Sequence, residues 1–114
     1  MTDLPRYRDV VIDGRDLTSW ESFHAVFARE FRFFAGYGRN MDAWIDCMSS
    51  LDEVDGVTDF RLSDEEGVSL QIRNFAEFYR TSAEIASALV ECTAFVNRRY
   101  QEWNSRTRIA IVPM

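Results

Sequence analysis

Tyr37-Gly38-Arg39-Asn40-Met41-Asp42-Ala43-Trp44-Ile45-Asp46-Cys47 reads as a tight glycine turn feeding a short helix. Asn40 is a good N-cap, because its side-chain oxygen can take a free N–H of the first turn. Met41, Trp44, Ile45, Met48 and Leu51 fall on one stripe and Asp42, Asp46 and Ser49 on the other. Like charges one turn apart repel and cost a helix about 0.2–0.5 kcal/mol. Asp42 recovers some of this from the helix dipole, whereas Asp46 lies a turn further in and gains less. No lysine or arginine between Met41 and Asp59 gives either aspartate a sequence neighbour of opposite charge. A fold has no need of this arrangement, which points to a use outside the fold.

Working outward, the chain alternates strands and helices. Residues 7–13 form a strand around Val10-Val11-Ile12, turned by Asp13-Gly14. Thr18-Ser19-Trp20-Glu21 has capping-box spacing and starts a helix whose apolar stripe is Trp20, Phe23, Phe27 and Phe31. Residues 33–39 break it. After the second helix, residues 51–67 read as a loop, with a short extended piece at 57–62. Val68, Leu70 and Ile72 alternate along a second strand over residues 68–73. Asn74-Phe75-Ala76-Glu77 and Thr81-Ser82-Ala83-Glu84 are two further helix starts, seven residues apart, so the helical stretch is broken. The later helix buries Ile85, Leu89, Cys92, Val96, Tyr100 and Trp103 and ends at Asn104-Ser105. Residues 107–112 form the last strand, stopped by Pro113. Strands separated by helices pair in parallel and need covering. The expected fold is α/β: one domain over residues 1–114 with a three-stranded parallel sheet covered by helices.

Composition narrows the function. The 114 residues carry a net charge of −6 at a pI near 4.7, which opposes nucleic acid and anionic membrane as partners and favours a basic one. All thirteen cations are arginines. Apolar residues at 46% exclude a disordered chain. Cys47 and Cys92 fit no metal or CxxC pattern and read as free buried thiols, which points to a reducing, cytoplasmic setting. Residues 1–10 lack a signal-peptide core, and no apolar run reaches membrane-spanning length.

The candidate sites are few. His24, the one histidine, has no sequence neighbour that makes a catalytic set, and reads as a helix-flank residue with a local hydrogen bond. No nucleophile elbow, phosphate loop, zinc motif or dinucleotide fingerprint occurs, so neither an enzyme nor a cofactor is expected. Gly38 and the helix start could cradle a phosphate, but the aspartates behind them repel it. From Asp42 to Glu66 there are nine acids and one base, Arg61. That run fits a solvated loop, a divalent-cation site or a docking face for a cationic protein; its spacing is not that of an EF-hand. Trp20 and Trp103 read as core. Tyr37, in a loop, is either an interface anchor or a ring packed over the helix start.

At these residues the chain resembles the barstar family of intracellular ribonuclease inhibitors. The likeness begins at Val11-Ile12-Asp13-Gly14, passes through Phe23-His24 and peaks at Tyr37-Gly38-Arg39-Asn40-Met41-Asp42-Ala43 and Asp46-Cys47. It implies a three-stranded parallel α/β fold; no catalytic residue, cofactor or metal is expected beside it. It also implies that the second helix and its preceding loop plug the active-site cleft of a basic ribonuclease or nuclease-type toxin. Asp46 would be the central phosphate mimic and Asp42 the flanking acid. Gly38 and Asn40 would shape the loop. Tyr37, Arg39, Ala43 and Trp44 would complete the partner-binding surface. The chain departs from the family pattern in a longer 52–67 loop, in a late glutamate of the family that falls near Gln101 or Glu102 here, and at three positions near the second helix. Gly36 stands where members carry another tyrosine, Arg39 replaces a glutamate, and Trp44-Ile45 reverses a leucine-tryptophan order. The alternative reading is a barstar-like module serving a non-ribonuclease partner or a second copy of itself.

Overall fold

The three apolar runs read as strands pair in parallel, as predicted. A computed structural model describes residues 6–54, 56–63 and 65–114. Its strands are β1 (Arg6–Asp13), β2 (Glu66–Arg73) and β3 (Ile109–Pro113), in sheet order β1-β2-β3 with both pairs parallel. The register sets Val10 opposite Leu70 and Leu70 opposite Ile111, with Ile12 opposite Ile72. Those side chains share the inner face, and Val10, Ile12, Val68, Leu70, Ile72 and Ile109 are buried on it. The sheet is longer at β2 than the apolar pattern predicts, starting at Glu66, because pairing is a backbone property that outlasts the alternation. Gly67 permits this: a Cβ there would lie 2.6 Å from the Arg108 carbonyl oxygen and 2.8 Å from the Tyr7 ring.

The helices are α1 (Trp20–Glu30), α2 (Met41–Met48), α3 (Phe75–Thr81) and α4 (Ala83–Glu102), with one 3-10 turn at Gly14–Asp16. Helix α1 starts one residue later than expected. Ser19, not Thr18, is its cap, exchanging hydrogen bonds with Ser22 instead of Glu21. The break between α3 and α4 falls at Ser82, as the repeated start signals require, yet neither Asn74 nor Ser82 caps through its side chain. Asn74 adopts a left-handed backbone (φ 55°) and its amide donates to Asp13 Oδ1 at 3.0 Å instead.

Phe23, Phe27, Phe31, Trp44, Leu51 and Tyr100 lie fully buried among the inward strand residues. The helices close this face alone. On the other face Tyr7 and Val11 are 45% and 48% exposed, and Ser69, Gln71, Ala110 and Val112 are half-buried. The covering helices thus lie on the face that carries the core, and the other face stays partly open. Small and polar side chains make the second face tolerable in water. The placing of Trp103 in the core is corrected. Helix α4 ends at Glu102, so Trp103 is its cap, leaves the apolar stripe and is 54% exposed.

Candidate partner-binding site

Helix α2 begins where sequence chemistry says it should. Asn40 Oδ1 accepts the Ala43 backbone N–H at 2.8 Å. The strained residue of the preceding turn is Arg39, with φ 52°, and among the described residues no glycine has positive φ. The turn is therefore not glycine-driven: a Cβ on Gly38 would meet only ordinary contacts, 3.4 Å from the Asn40 amide and 3.5 Å from Ala43. A left-handed arginine costs about 1–2 kcal/mol, so tertiary contacts on both sides must hold the loop.

Two residues expected on the binding surface are not on it. Tyr37 is buried, and its hydroxyl shares a 2.6 Å hydrogen bond with His24 Nδ1. The ring packs against Phe33 and against the His24 imidazole. Of the two roles open to Tyr37, packing wins, because a buried imidazole needs a polar partner. Burial lowers the His24 pKa, helped by the charge of Arg39, and raises that of the Tyr37 phenol. Trp44 is fully buried, its ring 5.5 Å from Phe27 and 6.2 Å from Phe23. The reversed Trp44-Ile45 order thus turns the indole into the core and leaves Ile45 at its edge. Among the described residues the Trp44 indole N–H has no hydrogen-bond partner.

What remains outward is a short ridge. Gly38, Arg39, Asn40, Asp42 and Asp46 are exposed and Ala43 is half-exposed. Asp42 makes no ion pair among the described residues. Asp46 does: Arg99 Nη1, from α4, lies 2.9 Å from its Oδ1. The Asp46 side chain is still 69% exposed, so the carboxylate is half-engaged and faces solvent. Cys47 lies beneath it, buried and free, its thiol pushed up to about 11 by burial and then by the Asp46 charge. On the His24 side a cavity of about 270 Å³ is lined by Trp20, His24, Arg39, Asn40 and Met41.

Sequence reading missed Arg99. It sits fifty-three residues from Asp46, and the one cue was its place between Phe95 and Trp103 at fourfold spacing on α4. The acidic run after α2 is dispersed: Glu66 caps Ser63 N–H, Asp52 accepts from Ser105, and Asp59 is exposed. Asp55 and Asp64 lie outside the described residues. Among the described residues no group of three metal-ligating side chains converges, and no helix is long and apolar enough to cross a membrane.

Fold and site together define a small parallel α/β domain that displays an anionic surface helix. Residues 7–112 match the family model described as Barstar (barnase inhibitor), and the chain belongs to the barstar family. Its members are ribonuclease inhibitors, not enzymes. No curated protein matches the sequence at a significant level.

Proposed function

We propose that this protein inhibits a basic, barnase-type ribonuclease by seating the 38–46 ridge in its active-site cleft, without performing chemistry. The observation that carries the reading is the outward pair Asp42 and Asp46 on a helix whose other face is locked in the core. Such a helix presents two carboxylates at fixed spacing with little entropy left to lose. A cleft built for RNA phosphates offers guanidinium, ammonium and imidazole donors, and carboxylates form short charge-assisted hydrogen bonds with them. The negative overall charge would draw a basic enzyme in and set which partners are rejected. A cytoplasmic setting, where an inhibitor would protect the cell that makes the nuclease, accords with two free cysteines.

The test is inhibition titration against purified barnase. Asp46→Ala should weaken inhibition by at least about 2 kcal/mol, the general threshold for an interface hot spot. Asp59→Ala, an exposed acid of the following loop, should stay within about 0.5 kcal/mol. Equal losses would reject the assignment. A second reading, a barstar-like module with a different protein partner, is favoured by one feature: Arg39 and Arg99 place cations beside the acidic pair.

A further inference from the structure

Asp46 already holds a guanidinium before any partner arrives. We propose that Arg99 is an internal stand-in for the partner's cation, occupying Asp46 in the free protein and making this face selective against uniformly basic clefts. The inference rests on the ribonuclease-inhibitor reading of the same site.

Arg99 contacts the carboxylate through one nitrogen only, Nη1 to Oδ1 at 2.9 Å, and leaves the remainder of an exposed carboxylate open. The guanidinium is not loose. Its carbon lies 5.2 Å from the Phe95 ring centre and 6.0 Å from that of Trp103, and the side chain is only 32% exposed. Both rings face solvent, 45% and 54% exposed. Arg99 thus has two attractions in one place, a carboxylate and two π-faces. A partner guanidinium coming to Asp46 meets a like charge at hydrogen-bonding distance from the same oxygen. It must share the carboxylate against repulsion, or drive Arg99 off it and onto the aromatic pair. Either route weakens binding to a cleft that offers only cations. A cleft bordered by a carboxylate or carbonyl would receive the displaced Arg99 and escape that penalty. Arg99 therefore sets specificity through Asp46.

Barnase serves as the probe, with affinities and association rates measured for wild type, Arg99→Gln, Arg99→Lys, Arg98→Gln, Asp46→Ala and the Asp46→Ala/Arg99→Gln double variant. Arg98 is the exposed neighbour on α4, so its loss changes net charge equally without touching Asp46. Arg99→Gln should tighten binding on the order of tenfold, mid-range for coupled neighbouring groups. Arg98→Gln should change it little, Arg99→Lys should resemble wild type, and the Arg99→Gln gain should vanish when Asp46 is alanine. Matching gains at positions 98 and 99, or a gain that survives without Asp46, reduce the effect to long-range charge and overturn the inference. Weaker binding by Arg99→Gln overturns it as well, since the ion pair would then be organising the site. Barnase binding to neither wild type nor Arg99→Gln also overturns it. If wild type binds, Asp46→Ala abolishes binding and Arg99→Gln is neutral, the stand-in falls while the inhibitor reading survives.

Discussion

At the scale of single residues, the His24–Tyr37 pair fixes the loop that leads into α2. A buried imidazole and a buried phenol satisfy each other, and the loop is anchored by its own aromatic ring. This arrangement has a pH signature. Burial lowers the His24 pKa below its ordinary 6.5, so the unfolded chain binds the proton more readily than the native one. Stability from this group is full above about pH 6.5 and declines as pH falls from there toward the depressed native value. Urea unfolding from pH 7.5 to 5 should show that decline, and His24→Gln should flatten it. An unchanged slope in His24→Gln would mean that other groups titrate there. Hydrogen bonds lower the pKa of both Asp13 and Glu66, so these carboxylates lose their contributions only at lower pH.

At the scale of elements, α4 does the most. Its Tyr100 hydroxyl donates to the Met48 carbonyl and accepts the Leu51 N–H, tying α4 to the end of α2. Its Arg99 reaches Asp46 on the same helix. Its Asn97 grips the sheet: the side-chain amide donates to the Ile109 carbonyl at 2.9 Å, and Oδ1 accepts the Ile109 N–H at 2.8 Å. One side chain thereby imitates a fourth strand at the start of β3 and blocks part of a free sheet edge. Asn97→Ala should destabilise the protein by about 1–3 kcal/mol, the cost of leaving half-buried backbone groups unpaired. Equilibrium unfolding checks it, with an unchanged denaturant slope marking a local loss.

At the scale of the whole molecule, the protein is an asymmetric layer. Helices close one sheet face, the other is open, and the anionic ridge stands at α2 with arginines on its flanks. With a net charge of −6, approach to a basic nuclease should be electrostatically steered. Stopped-flow association with barnase should slow several-fold from 50 to 500 mM NaCl while dissociation changes less, because screening acts on separated charges more than on desolvated ones. A salt-independent association rate would contradict steering.

Strand alternation, helix stripes and cap residues sufficed for element order, the parallel α/β class and the placing of Asp42 and Asp46 on the outer face of α2. These are local properties, governed by side-chain period and by backbone donors within a few residues. The same locality misled where a distant group decided the outcome. Tyr37 turned inward because His24, thirteen residues away, supplied a buried partner. Trp44 lies inward as its stripe required, against Phe23 and Phe27, and not on the surface that the family resemblance gave it. Trp103 left the core because α4 ended one residue earlier. Asp46, without an opposite charge nearby in the chain, found one on α4 once the helices packed. The chain by itself thus determined which residues are apolar, helical or anionic. Tertiary structure alone decided which of them touch, since burial and ion pairing depend on distances that only the closed sheet and packed helices bring into being.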